Sequence, residues 1–131
     1  MISWEQNTLW ITSLSTWEGI SFLDYEAAYR AMVEKRMCHD WVKVVDLSQF
    51  VSSKTDLSTL KASKTRKRIA DLNWWSANNG MRLQVVIVGS HVKPQVLQDL
   101  KEIYLSRDIQ TEFVSTSSEA YRLISNLKIA V

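Results

Sequence analysis

The sequence predicts a single α/β domain: a mixed, mostly parallel five-stranded sheet with an N-terminal antiparallel hairpin and four helices, in the order β-β-α-β-α-β-α-β-α. Three observations predict it. Two β-branched runs, Trp41-Val42-Lys43-Val44-Val45-Asp46-Leu47-Ser48 and Leu83-Gln84-Val85-Val86-Ile87-Val88-Gly89, read as strands in the middle of a sheet. The stretch between them has the length and composition of a helix, so the two strands would be parallel neighbours joined by a right-handed crossover. Near the start, Leu9 and Ile11 alternate against Trp10 and Thr12 with the period of two of a strand, and the short connection from the preceding strand favours an antiparallel hairpin.

Each element has its own signal. Ile2 to Gln6 and Thr8 to Ser15 read as the hairpin strands, with Asn7 at the turn and Leu9 and Ile11 alternating against Trp10 and Thr12. Gly19 breaks the pattern. A first helix should open near Ser21, where Ser21-Phe22-Leu23-Asp24 has the form of a capping box. Its apolar stripe is Phe22, Tyr25, Ala28, Tyr29, Met32 and Val33, and Glu26, Arg30, Glu34 and Lys35 lie largely opposite. The next strand is Val42 to Leu47. A long helix is expected from Asp56 to about Asn78, stopped by Asn78-Asn79-Gly80, residue types that tolerate the left-handed conformation at a helix end. Strand four is Leu83 to Val88. Pro94 suits the first turn of a third helix, where its missing N–H loses nothing, and Val96, Leu97, Leu100, Ile103 and Tyr104 form its buried side. Thr111 to Val114 makes the last strand. Thr116-Ser117-Ser118-Glu119 then caps a final helix carrying Tyr121, Leu123, Ile124 and Leu127.

Composition sets the class. With 131 residues, 46% of them hydrophobic and 23% charged, the chain can build one core of ordinary proportions. No window approaches the roughly 18 consecutive apolar residues of a membrane span. The N-terminus lacks the pattern of a secretory signal, and the lone Cys38 can form no internal disulfide, so a cytoplasmic, bacterial-style protein is expected. The net charge of +2 hides an asymmetry: residues 1–50 carry four Lys/Arg against seven Asp/Glu, residues 51–82 seven against two, and the rest five against five.

The order and spacing of four features resemble the STAS and SpoIIAA-like group, the fold of the anti-sigma-factor antagonists. They are the hairpin through Trp10-Ile11-Thr12, the Gly19-Ile20-Ser21 approach to a helix, the Lys43-Val44-Val45-Asp46-Leu47-Ser48 strand, and the Phe113-Val114-Ser115-Thr116-Ser117-Ser118-Glu119-Ala120 junction. In the antagonists a hydroxyl of an Asp-Ser-Ser/Thr-Gly turn, just past the Asp-Leu-Ser strand, is phosphorylated by a partner kinase. Here that region reads Ser52-Ser53-Lys54-Thr55-Asp56-Leu57-Ser58-Thr59, rich in hydroxyls but without the tetrapeptide or its glycine. It looks closer to the standalone SpoIIAA-like proteins, for which the resemblance implies relatedness to Sec14-type lipid carriers rather than an enzyme activity.

No set of residues looks like a complete catalytic site. Asp46, at the C-terminal edge of its strand, stands where binding chemistry collects in open α/β sheets. A phosphoryl-accepting receiver would also need a pair of acids after the first strand and a lysine on a later one, and neither is present. Asp46 is therefore read as a structural acid that accepts backbone hydrogen bonds. Cys38, His39 and Asp40 are consecutive and cannot converge on one metal, and His91 is the only other histidine, so no metal site is expected. Ser90, His91 and Asp46 make a triad only on paper, since the nucleophile elbow is missing. Gly19, Gly80 and Gly89 begin no phosphate cradle, and no cofactor is implied.

Two features remain. Lys61, Lys64, Arg66, Lys67 and Arg68 form the densest charge run. At about 100° per residue, Lys61, Lys64 and Arg68 fall on one stripe with Leu57, Leu60, Leu72 and Trp75, so cations interrupt the expected buried face. Six tryptophans, Trp4, Trp10, Trp17, Trp41, Trp74 and Trp75, are many for so small a protein to bury. The expected function is a non-enzymatic binding domain for an apolar or lipid-like ligand lined by Trp10, Leu57, Leu60, Leu72, Trp74 and Trp75. Lys61, Lys64, Lys67 and Arg68 would contact an anionic membrane surface peripherally. The alternative is a regulatory protein-interaction switch, with Ser52, Ser53, Thr55, Ser58 and Thr59 as phosphoacceptors. The acidic first third argues against a broad nucleic-acid surface.

Overall fold

The computed structural model describes residues 2–12, 20–36, 40–48, 63–90, 92–105 and 109–127, with side chains described from 23 in the first helix and from 66 in the second. The elements follow the expected order: β1 (Ile2–Glu5), β2 (Thr8–Ile11), α1 (Ile20–Arg36), β3 (Trp41–Asp46), α2 (Ser63–Asn78), β4 (Met81–Ile87), α3 (Pro94–Tyr104), β5 (Thr111–Val114) and α4 (Ser117–Asn126). The strands lie in sequence order, β1-β2-β3-β4-β5. β1 and β2 are antiparallel, and the three other pairings are parallel.

This strand order decides the layers. Crossovers of one hand that step always in the same direction must stack their helices on one face. Accordingly α1, α2 and α3 cover one side, closing over Leu9, Ile11, Trp41, Val45 and Val86. α4, which follows the last strand, folds back over the other side, onto Trp10, Val42, Val44, Leu83 and Val85. β3 and β4 are thus covered on both faces, which is why their sequences read as nearly continuous apolar runs.

Local chemistry sets the boundaries. Hairpin residues Ile2 to Glu5 pair with Ile11 to Thr8, leaving Gln6 and Asn7 as the turn. Gln6, not Asn7, takes the left-handed conformation, at φ 56°. The pairing stops at Ile11, short of the expected Ser15, of which residues 13–15 lie outside the described part. α1 starts at Ile20, so Ser21 is already helical and does not serve as its N-cap. Tyr29 and Val33 of its expected stripe are buried, whereas Ala28 is exposed. Residues 56–62 of the expected second helix lie outside the described residues, and the observed helix begins at Ser63. It ends where Asn78-Asn79-Gly80 predicts, and Gly80 turns the chain at φ 99°. β4 begins two residues earlier than expected, because Met81 pairs with Trp41 across an irregularity in the ladder. Pro94 occupies the first turn of α3 behind an extended Lys93. Thr116 caps α4 by accepting the Glu119 backbone N–H at 3.2 Å, while the Glu119 carboxylate accepts the Ser115 N–H at 3.2 Å.

A buried lysine and its polar surroundings as the candidate functional site

Lys43 is a charged side chain inside the apolar run of β3, which ends on Asp46, and period-two alternation places it on the same face as Trp41 and Val45. That face is roofed by three helices, and Lys43 is only 2% exposed. Across the sheet it lies in one row with Leu9 on β2, Gln84 on β4 and Thr111 on β5. Above it α2 contributes Asn73 and Ser76, which share a helix face three residues apart. Tyr29 comes from α1 and Tyr104 from α3.

The Lys43 Nζ donates to Asn73 Oδ1 at 2.9 Å. It stands 5.0 Å from the centroid of the Tyr29 ring and 6.0 Å from that of Tyr104, so the amine is within reach of two π-systems. Tyr29 Oη and Ser76 Oγ are 2.6 Å apart. The single Ser76 hydroxyl proton goes to the Leu72 carbonyl at 2.8 Å, so Tyr29 is the donor to Ser76. Gln84 Nε2 donates to Thr111 Oγ1 at 3.3 Å, and Thr111 donates in turn to the Ile109 carbonyl.

Burial controls the charge state of this cluster. Removal from water penalises the ammonium, and the Lys43 pKa is pushed down to about 7. Among the described residues no carboxylate forms an ion pair with it. The same burial pushes the Tyr29 and Tyr104 phenols up, so both stay neutral throughout the physiological range. Three buried polar atoms among the described residues have no hydrogen-bond partner: Asn73 Nδ2, Gln84 Oε1 and the Tyr104 hydroxyl. Each such atom costs about 1–3 kcal/mol when dry, and native proteins carry few of them. All three belong to the layer around Lys43. A cation-capable amine, two tyrosine rings and orphaned polar groups thus lie together inside an otherwise apolar layer.

Of the residues expected to line a ligand site, the described ones fall on two faces of the sheet. Trp10 lies under α4, on the opposite face of the sheet, with its ring 4.6 Å from that of Tyr121. Leu72 is core beside α1 and α3. Trp75 is half-buried against Tyr29 and under the Arg30 guanidinium, and Trp74 is exposed. Leu57 and Leu60 lie outside the described residues, as do the hydroxyls of Ser52, Ser53, Thr55, Ser58 and Thr59. The buried face of α2 is also rotated from the expected stripe. It centres on Ile69, Asn73 and Ser76, with Arg68 and Trp75 at its flank, because Lys43 and Tyr29 supply partners that make the two polar residues acceptable inside. Lys67 faces solvent and pairs with Asp71 at 3.3 Å, while Lys61 and the Lys64 side chain fall outside the described part.

Asp46 has the backbone role expected of it: one carboxylate oxygen accepts both the Ser48 N–H at 2.9 Å and the Ser48 hydroxyl at 2.6 Å. An open groove of about 320 Å³ on the α4 side is lined by Val114, Glu119, Arg122, Leu123 and Asn126. Its polar members are all exposed, so it lacks the buried, partnerless groups of the Lys43 layer.

Sequence reasoning passed over Lys43, Asn73, Ser76, Tyr29 and Tyr104 as site residues. One signal was present: a lysine in the middle of a strand that apolar neighbours mark as covered on both faces. Comparison of the chain with known protein families finds no match, and comparison with characterised proteins finds none either. No helix among the described residues is long and apolar enough to cross a membrane.

Proposed function

We propose that this chain is a non-enzymatic binding domain that holds an apolar or lipid-like ligand between the sheet and the layer of α1, α2 and α3. The observation that carries the reading is the set of orphaned polar atoms around Lys43, beside Tyr29 and Tyr104 and in the same buried layer as Leu72 and Ile103. A mostly apolar enclosure with a few convergent polar groups is the usual composition of a small-molecule site. The element order and sheet topology are compatible with the resemblance to the SpoIIAA-like group and, through it, to lipid carriers. Peripheral contact with anionic membrane is supported by the outer face of α2, where Trp74 is 49% exposed beside solvent-facing Arg66 and Lys67.

Native mass spectrometry of the protein purified from cells tests the reading, together with tryptophan fluorescence during titration with fatty acids and phospholipids. Co-purifying lipid and a saturable change in emission are expected, because Trp75 and Trp41 both pack on Tyr29. Absence of both responses would reject a lipid-like ligand.

A further inference from the structure

The donors and acceptors around Lys43 do not balance. Asn73 Nδ2 carries two N–H groups with no acceptor, the Tyr104 hydroxyl has no partner, and protonated Lys43 would hold two N–H groups beyond the one given to Asn73. With Lys43 protonated these donors outnumber the lone pairs of the orphaned atoms that can accept, Gln84 Oε1 and the Tyr104 hydroxyl oxygen, among the described residues. No carboxylate of the described chain supplies a counter-charge. A buried charge is tolerated only when paired and hydrogen-bonded, so the protein alone holds Lys43 in its neutral form at the upper end of the physiological range.

Resting on the binding reading above, we propose that the ligand is an aliphatic carboxylate, its head held by Lys43 Nζ, Asn73 Nδ2 and the Tyr104 hydroxyl and its chain laid in the apolar layer beside Leu72 and Ile103. A carboxylate has two oxygens with about four lone pairs, which matches the surplus donors, and one negative charge, which matches the single lysine. A phosphate monoester would bring more charge than one lysine offsets among side chains this buried. An alcohol would supply no charge at all. Binding the anion returns Lys43 to its protonated state, so the complex takes up one proton when it forms above the Lys43 pKa. Affinity therefore falls as the pH is raised from 7 toward 10.

The experiment measures binding of dodecanoate and of 1-dodecanol to the whole chain by tryptophan fluorescence, while NMR of the Lys43 side chain follows its protonation. Dodecanoate is expected to bind at least about tenfold more tightly than dodecanol, since only its ionised head makes charge-assisted bonds. It should also raise the pH at which Lys43 titrates by a unit or more. Lys43→Met should abolish the preference for dodecanoate while still binding dodecanol, and Tyr104→Phe should weaken the preference with Lys43 in place. Equal affinity for the two ligands, with an unchanged Lys43 titration, would overturn the carboxylate anchor and leave the apolar site standing. Failure of both ligands to bind would overturn the anchor and the binding reading together.

Discussion

Replacing Lys43 by methionine should produce a stability difference whose sign changes with pH. In the unfolded chain the amine titrates near 10.5, and in the folded protein near 7. Between these values the unfolded state holds a proton that the folded state lacks, so Lys43 makes the fold more stable as pH rises through that window. The slope is about 1.4 kcal/mol per pH unit for one proton, so lysine costs the fold about 4–5 kcal/mol at pH 7 and almost nothing near pH 10.5. Methionine removes this cost and can pack near the Tyr29 and Tyr104 rings as a flexible, polarizable filler. It also leaves Asn73 Oδ1 unpaired, which costs about 1–3 kcal/mol at every pH. The variant should therefore be more stable than the parent by about 1–4 kcal/mol at pH 7, and less stable by up to about 2 kcal/mol at pH 10, where lysine still costs the fold about 1 kcal/mol. Urea unfolding of both proteins from pH 6 to pH 10 measures the difference, and every group common to the two cancels in it, including tyrosines ionising in the unfolded chain. A difference that stays constant across that range would mean that Lys43 titrates as it does in water, and the argument from burial would fail.

Other perturbations test separate parts of the structure. Tyr29→Phe removes the bond to Ser76 but leaves Ser76 bonded to Leu72, so thermal unfolding should show a loss of only about 0.5–1.5 kcal/mol; a loss above about 3 kcal/mol would indicate that the phenol does more than pair with Ser76. Because burial raises the Tyr29 and Tyr104 pKa values above 10, the stability these phenols contribute is complete below pH 10 and is lost at higher pH. Their ultraviolet ionisation signal should accordingly appear only together with alkaline unfolding. Gly80→Ala places a Cβ at φ 99° and should cost at least about 1 kcal/mol in urea, with no effect on dodecanoate affinity. Converting Lys61, Lys64, Lys67 and Arg68 to glutamine should weaken sedimentation with anionic vesicles by about a hundredfold or more at low salt, at about 1 kcal/mol per cation near the surface. Wild-type protein that ignores such vesicles would mark the cluster as a solvated face, and the exposed Lys67–Asp71 pair would then be its ordinary surface chemistry.

By itself the sequence determined the element order, the hairpin, the parallel neighbours and several boundaries. These depend on signals carried by adjacent residues: the alternation of Leu9 and Ile11 against Trp10, the Asn78-Asn79-Gly80 stop, Pro94 at a first turn and Thr116 capping Glu119. Asp46 was legible for the same reason, since its partner Ser48 is two residues away. The candidate site was not, because its members come from β3, α1, α2 and α3 and span Tyr29 to Tyr104. Hydrophobic periodicity treats Asn73 and Ser76 as surface residues, and it therefore turned α2 toward Lys61, Lys64 and Arg68. Only the folded sheet, which sets Lys43 beneath Asn73 and Tyr29 beside Ser76, provides the partners that make those polar groups affordable inside. The tryptophan surplus misled in the same way: Trp10 and Trp75 look alike in the chain, but strand alternation and helix phase send them to opposite faces of the sheet. Composition could report that aromatic side chains were abundant, whereas which of them meet is a long-range property of strand order, and that was fixed only when three crossovers stacked three helices over one lysine.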